Sequence, residues 1–241
     1  MKKPVLSDII EFKKDLLEKE ATPPLFKKFE NSFHVIAEIK RHSPSRGDIA
    51  PIEDPVKLAR LYEQAGASMI SVLTDEKFFH GSLEDLKKVA DAVSIPVLRK
   101  DFILTPKQVA EAIKAGASSI LLIVAILGSS IKELVKLCTI LEIEPLVEVH
   151  DESELELALA SECRMIGVNN RNLKTMDISL ETSERLSSLI PKEIIKVAES
   201  GILTLDDAKR MKDAGYNVVL IGEGLLRHPD PATFIKQVRA L

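Results

Sequence analysis

The sequence predicts an α/β protein, a (β/α)8 or TIM barrel preceded by an extra N-terminal helical segment, on three observations. Eight short apolar runs alternate with amphipathic segments along most of the chain. Polar and ionisable residues stand at the end of nearly every run. The length of 241 residues is typical of one such barrel. We therefore expect a single domain, with a helical extension over residues 1–32 and the barrel over residues 33–241.

The eight apolar runs are predicted to be parallel β-strands. They are rich in leucine and in β-branched residues, and their apolar character is almost continuous. Such a run is typical of a strand that is covered on both faces. In chain order the runs occupy residues 34–39, 68–73, 95–100, 118–124, 144–149, 164–169, 194–199 and 217–222.

The segments between the runs carry helix signals. Asp54 and Pro55 provide an acidic cap and a first-turn proline, and this segment ends at Gly66. Two later segments, which end at Gly116 and Gly215, repeat the design. The fragments QAGASMISVL, KAGASSILLI and DAGYNVVLIG each contain a helix end, a glycine stop and a buried strand. Such units imply right-handed crossovers between parallel strands.

These units could close into a barrel or form an open, doubly wound sheet. The regular strand spacing and the polar residues at nearly all strand ends favour the barrel, because all eight strand ends of a barrel meet at one site. An open sheet gathers its ligand groups at a single switch point instead. The sequence therefore predicts one site at the carboxyl ends of the strands.

Composition limits the classes of partner and compartment. The net charge of −4 favours neither nucleic acid nor a membrane surface. The longest apolar run, residues 120–127, is too short to cross a bilayer, and the N-terminal segment lacks the apolar core of a signal peptide. Cys138 and Cys163 form no CxxC motif and are interpreted as reduced packing residues. We expect a cytoplasmic monomer that acts on a small molecule.

Ionisable side chains recur where the strands end, although each one alone could be a salt bridge or a solvated strand end. Burying such a group is costly unless it is paired or needed. Together they would assemble two ammonium groups and three carboxylates at one barrel mouth, which suits acid/base catalysis on an anionic substrate. The strand ends carry, in order, Glu38 and Lys40, Lys100, Glu148, Asn169 and Arg171, and Glu199 and Ser200.

Two glycine-containing segments predict a phosphate site. Residues 199–201 follow the seventh strand, and residues 222–224 follow the eighth. Small residues let backbone N–H groups face an anion, and barrels frequently bind phosphate with the loops after these two strands. Either segment alone could be a plain turn, but their joint location favours phosphate.

Other chemistries lack a motif. The five histidines are scattered without a metal-binding spacing, and the chain has no GxGxxG, Walker or GxSxG motif. Glu148 and His150 are neighbours in the sequence, but we expect them to point to opposite faces of their strand. The sequence thus predicts neither a metal ion nor a cofactor.

Eight segments resemble, in order, the signature segments of the indole-3-glycerol phosphate synthase family. The resemblance implies a carboxy-lyase of tryptophan biosynthesis that acts on 1-(2-carboxyphenylamino)-1-deoxyribulose 5-phosphate. The products would be indole-3-glycerol phosphate, CO2 and water, formed without a cofactor. The segments, which run from about residue 33 to residue 228, are VIAEIKRHSPSRG, SVLTDEKFFHGS, PVLRKDFI, LLIVAIL, PLVEVHDESEL, IGVNNRNLKTM, VAESGI and LIGEGLLR.

The resemblance also assigns roles to single residues. Lys100 is similar to the general acid that protonates the substrate carbonyl, and Glu148 to the acid/base group of the later dehydration. Lys40 resembles a residue that binds phosphate or carboxylate, or that competes with Lys100 as the proton donor. Glu38 would orient and pair the lysines, and Asn169 would hydrogen-bond to the substrate.

Further residues are implied in substrate binding. Arg171 would brace the mouth or hold anion charge, and Glu199 and Ser200 would complete the polar ring. Gly224 stands where the family usually has a serine, so a side-chain contact there would be missing. The residues implied in binding phosphate, mainly through backbone N–H groups, are Ser43, Gly201, Gly222 and Glu223. Those implied in an apolar wall around the anthranilate ring are Phe79, Phe102 and Leu121.

Two alternatives stay open. Another phosphate-binding barrel, such as phosphoribosylanthranilate isomerase or the tryptophan synthase α subunit, would need a Cys/Asp or Glu/Asp pair at other strand ends, where neither cysteine lies. A barrel that only binds phosphorylated metabolites, or serves as a scaffold, would not need an acid and a base at Lys100 and Glu148.

Overall fold

The computed structural model describes residue 29 and residues 32–44, 47–49, 51–173 and 175–241. Nearly all of the expected helical extension, residues 1–32, thus lies outside the described residues. Eight parallel strands close into a barrel in which each strand pairs with its chain neighbours and the last strand pairs with the first, so the predicted topology is confirmed. The strands are β1 (His34–Ile39), β2 (Met69–Leu73), β3 (Val97–Lys100), β4 (Ser119–Ile123), β5 (Glu144–Val149), β6 (Met165–Asn169), β7 (Ile195–Glu199) and β8 (Val218–Ile221).

Within the described residues, eight helices surround the barrel. They are α1 (Pro55–Gln64), α2 (Leu83–Ala90), α3 (Pro106–Lys114), α4 (Ile131–Ile140), α5 (Glu152–Ala160), α6 (Glu181–Ser187), α7 (Leu205–Asp213) and α8 (Pro231–Arg239). The loops hold further short elements: helices Glu76–Phe79, Val124–Leu127 and Glu223–Arg227, a 3-10 turn Gly128–Ser130, and an antiparallel pair of His42–Ser43 with Gly47–Asp48. Over the described ranges, no helix is long and apolar enough to cross a membrane.

The predicted helix signals act as expected. The Asp54 side chain accepts hydrogen bonds from the backbone N–H groups of Val56 and Lys57, and so caps α1. Gly66, Gly116 and Gly215 have φ angles of 99°, 88° and 89°, in the left-handed region where side chains are disfavoured. The three repeated fragments therefore stop a helix with the same backbone turn before the next strand begins.

Apolar side chains pack in two layers, one between the strands and the helices and one inside the barrel. In β1, Val35 and Ala37 belong to the outer layer, whereas Ile36 belongs to the inner one. Leu98, Leu146 and other inner residues fill the barrel centre. The barrel is thus a packed core, and functional side chains on its inner face can meet only near the strand ends.

Candidate active site

One pocket of about 220 Å³ lies at the carboxyl ends of the strands. Every site residue predicted from the sequence lines this pocket, which brings them together as expected. They are Glu38, Lys40, Ser43, Phe79, Lys100, Phe102, Leu121, Glu148, Asn169, Arg171, Glu199, Ser200, Gly201, Gly222 and Glu223.

Lys100, the last residue of β3, lies between two carboxylates. Its Nζ is 3.5 Å from Glu148 Oε2 and 3.4 Å from Glu199 Oε2. Burial alone would lower the pKa of this amine, but the charges of Glu148, Glu199 and Glu38 outweigh it and raise the pKa above its ordinary value. Lys100 is therefore an ammonium group at neutral pH, with a proton available to give.

Glu148, on the inner face of β5, is held as a carboxylate. Its Oε1 accepts a hydrogen bond of 3.1 Å from Asn169 Nδ2, and Asn169 Oδ1 accepts one of 3.0 Å from the Arg171 backbone. Burial would raise the pKa of this carboxyl, but Lys100 and then His150 outweigh it and hold the pKa below its usual range. Glu148 can therefore accept a proton at neutral pH.

Glu199, at the end of β7, has the opposite protonation behaviour. Burial raises its pKa to about 8, with help from the charges of Glu148 and Glu38 and against that of Lys100. Its Oε1 has no hydrogen-bond partner within the described part of the protein. The pocket thus sets two carboxyl groups with opposite pKa shifts on either side of one ammonium group.

Glu38 and Lys40 extend from β1 to the same side, as predicted. Lys40 Nζ donates a hydrogen bond of 2.6 Å to Glu38 Oε1. Burial would raise the pKa of Glu38, but Lys40 and Lys100 together hold it below its ordinary value. This ion pair gives the pocket a second ammonium group beside the first.

Two glycines make room for the buried carboxylates. A Cβ on Gly167 in β6 would overlap Glu199 Oε1, and one on Gly222 would lie 2.5 Å from Glu38 Oε1. Gly222 was predicted only as part of a phosphate loop, and Gly167 was not predicted at all. The available signal for Gly167 is its place inside a strand, where glycine often marks a close approach of other groups.

We expect Gly167→Ala to lower kcat by roughly 10- to 100-fold, because the added methyl displaces Glu199 from Lys100 and small misplacements in a catalytic site are costly. The φ of Gly167 is not in the left-handed region, so alanine fits the backbone. Steady-state kinetics of a double-mutant cycle checks this. Added to Glu199→Ala, Gly167→Ala should cause little further loss, and two fully additive losses would contradict the displacement.

The loops after β7 and β8 approach each other through small residues. Ser200 and Gly201 have φ angles of 65° and 80°, and a Cβ on Gly201 would lie 2.6 Å from Cγ2 of Ile178, in the loop after β6. A Cβ on Gly224 would lie 2.5 Å from the Ile202 carbonyl oxygen. Glycine at position 224, where a serine was expected, therefore allows close packing of the two loops.

An apolar wall faces the ionisable groups. The Phe79 and Phe102 rings lie 6.2 Å apart at an angle of 46°, and Leu121 extends the wall. Ile123 also lines the pocket and was missed, although it lies two residues after Leu121 on the same strand face. Arg171 Nη1 donates a hydrogen bond of 3.3 Å to the Met176 carbonyl, which fits the predicted bracing of the mouth.

The expected separation of Glu148 and His150 is wrong. His150 Nε2 lies 3.4 Å from Glu148 Oε1, because residues two apart along a strand share a side. The contact does not create a metal centre. Among the described residues, no group of three or more His, Cys, Asp or Glu side chains could hold a metal ion.

The fold and the pocket define a (β/α)8-barrel enzyme with a buried acid–base cluster at the carboxyl ends of its strands. A family model described as indole-3-glycerol phosphate synthase matches residues 7–238. The chain therefore belongs to the indole-3-glycerol phosphate synthase family, a family of carboxy-lyases that act in tryptophan biosynthesis.

Curated relatives carry the same name. The indole-3-glycerol phosphate synthase of Exiguobacterium sp. is 49% identical over 208 residues, which cover 86% of this chain and 82% of that protein. The Parafrankia sp. protein is 50% identical over 202 residues, 83% of this chain and 75% of its own. The Listeria welshimeri protein is 44% identical over 227 residues, 94% of this chain and 90% of its own.

Proposed function

We propose that this chain converts 1-(2-carboxyphenylamino)-1-deoxyribulose 5-phosphate to indole-3-glycerol phosphate, with loss of CO2 and water. The observation that carries the proposal is the position of Lys100, within 3.5 Å of Glu148 and Glu199, in a pocket that is also lined by apolar side chains. Ring closure needs an acid and a base beside an apolar surface, and this pocket supplies them.

Ring closure begins when the aromatic carbon that bears the carboxylate attacks the ketose carbonyl. This carbon is a weak nucleophile, so the carbonyl must be polarised by a cation in a dry pocket. Lys100 does this and gives its proton to the carbonyl oxygen, which an arginine would not do. Phe79, Phe102 and Leu121 hold the ring within attack distance.

Decarboxylation and dehydration complete the reaction. Loss of CO2 from the attacking ring carbon restores aromaticity, so no electron-accepting cofactor is required. In the dehydration, the departing hydroxyl takes a proton from a lysine, and Glu148 accepts one from the carbon beside the ring nitrogen. Glu199, whose pKa is raised by burial and which lies 3.4 Å from Lys100 Nζ, would return a proton to Lys100.

The substrate anions are bound at the rim. Ser43, Ser200, Gly201 and Gly222 surround the phosphate, mainly with backbone N–H groups. The Glu223 side chain lies 3.2 Å from Arg227 Nε. Glu223 would therefore contribute its backbone N–H group to the phosphate site, and not its carboxylate. Lys40 and Arg171 attract the substrate carboxylate and phosphate, and Asn169 keeps Glu148 in place.

The test is a fluorescence assay for indole-3-glycerol phosphate formed from the carboxyphenylamino-deoxyribulose phosphate, with excess EDTA present. Turnover, inhibited competitively by tens of millimolar inorganic phosphate, is expected. Folded protein that binds phosphate without turnover would favour the binding or scaffold alternative. Turnover without phosphate competition would contradict the anion site.

We also propose a cytoplasmic monomer that binds neither nucleic acid nor membrane, and sedimentation of the purified protein tests its assembly.

A further inference from the structure

We infer that His150 and Glu154 form a positioning pair that fixes the orientation and the charge of Glu148, and that leaves Glu148 Oε2 as the reacting oxygen. Neither residue lines the pocket, so both would act through Glu148. The inference rests on the proposed function, because it concerns the base of the dehydration.

Hydrogen bonds to Glu154 orient the imidazole ring from one side, and within the described part of the protein Nε2 faces Glu148 as an ion-pair contact without a hydrogen bond. Glu154 Oε2 accepts hydrogen bonds from His150 Nδ1 at 2.9 Å and from the His150 backbone N–H at 2.8 Å. This fixes the ring with Nε2 at 3.4 Å from Glu148 Oε1. The three side chains are largely buried, with 13%, 17% and 2% exposed for His150, Glu154 and Glu148 respectively.

The pair links the end of a strand to the beginning of a helix. His150 directly follows β5, and Glu154 lies in the first turn of α5. Asp151 caps that helix by accepting a hydrogen bond of 2.9 Å from the Glu154 backbone. Both ends of the pair are thus attached to regular secondary structure, as a positioning group requires.

Charge in this region favours an imidazolium. Among the described residues, the groups that interact with His150 include Glu148 from β5, Glu154 from α5 and Asp151 at the N-cap of α5, all of them carboxyls. Burial would lower the pKa of His150, but the interactions with Glu148 and Glu154 raise it to about 10. The ring therefore carries a positive charge throughout the neutral range and stabilises the ionised form of Glu148.

The two oxygens of Glu148 then have different tasks. Oε1 meets Asn169 Nδ2 and His150 Nε2, whereas Oε2 lies 3.5 Å from Lys100 Nζ on the pocket side. A carboxylate anchored by one oxygen has a fixed direction for the lone pairs of the other. Removing His150 should therefore impair both the orientation and the ionisation of the base.

The test compares pH profiles of kcat in the wild type, His150→Gln and Glu154→Gln. We expect His150→Gln to lower kcat about tenfold with KM nearly unchanged, since the base is misplaced but the substrate contacts remain. Without the imidazolium the pKa of Glu148 rises. As the pH is lowered, the variant should therefore lose activity at a higher pH than the wild type does. Glu154→Gln should move the acid limb, the acidic side of the pH profile of kcat, in the same direction by a smaller amount. The reason is that the glutamine oxygen still accepts a hydrogen bond from His150.

Glu152→Gln is the matched control, because Glu152 lies in the same helical turn and pairs with Arg185 rather than with His150. It should leave kcat and the acid limb unchanged. An unchanged acid limb and kcat in folded His150→Gln would overturn the inference, as would an equal effect of Glu152→Gln.

Histidine NMR gives a second measurement that needs no substrate. The His150 signal, assigned by its loss in His150→Gln, should stay that of an imidazolium between about pH 6 and 8 and titrate lower in Glu148→Gln. Titration of His150 near its ordinary pKa in the wild type would overturn the pairing. Inactive wild-type protein would contradict the proposed function instead, and this NMR measurement would still decide the pairing.

Discussion

Lys100→Ala is expected to lower kcat at least ~10²-fold, the usual scale for loss of a general acid. The ammonium group lies within 3.5 Å of both Glu148 and Glu199, so its loss removes the proton donor and the charge between them. The chain should stay folded, because the two buried carboxyls can protonate once their cation is gone. Steady-state kinetics with the carboxyphenylamino-deoxyribulose phosphate measures the effect, and circular dichroism checks the fold.

Lys100→Arg separates proton donation from charge. Arginine keeps a cation beside Glu148 and Glu199 but retains its proton, so we expect kcat to stay as low as in the alanine variant. Recovery in the arginine variant would mean that Lys100 acts only by its charge. A near-normal kcat in Lys100→Ala would move the donor role to Lys40, whose ammonium group also lines the pocket.

The fold could be predicted because buried parallel strands, and the glycines that end the preceding helices, each have a pattern that is visible in a short stretch of sequence. The small errors occur where local patterns are ambiguous. The fourth apolar run continues to Val124, but the strand ends at Ile123 and Val124 begins a short helix. An apolar run alone cannot distinguish those two backbones. The third run was predicted from residue 95, but pairing in β3 begins only at Val97, after Pro96.

The pocket residues could be predicted because ionisable groups inside apolar runs are conspicuous. Their protonation could not, since it depends on neighbours from other strands. Glu148 and Glu199 both stand at strand ends, yet Glu148 meets Lys100, Asn169 and His150, whereas Glu199 meets Lys100 alone among these groups. One carboxyl is therefore ionised, and the other has a raised pKa.

Gly167 was missed, and the side of the strand on which His150 lies was predicted wrongly. Gly167 matters because the barrel register places it between Glu148 on β5 and Val197 on β7, which leaves space for Glu199. Its effect exists only once three strands are assembled. His150 does not line the pocket, and it was expected to point away from Glu148. The structure instead places its Nε2 3.4 Å from Glu148 Oε1.

Glu148→Gln is the second large effect, with an expected loss of at least ~10²-fold in kcat and a nearly unchanged KM. The amide keeps the volume of the side chain and can still accept the hydrogen bond from Asn169, so the pocket should retain its shape. What disappears is the group that takes the proton in the dehydration. The measurement is steady-state kinetics, with trapping of any intermediate that accumulates before water is lost.

Glu144→Gln provides a control on the same strand. Glu144 lies at the opposite end of β5, buried and paired with Arg164, outside the residues that line the pocket. Residues at the amino-terminal end of barrel strands generally serve stability, whereas those at the carboxyl end serve catalysis. Glu144→Gln should therefore lower Tm and leave kcat near the wild-type value. Similar kcat losses in both variants would mean that charge in β5 supports the barrel as a whole, and Glu148 would lose its role as the base.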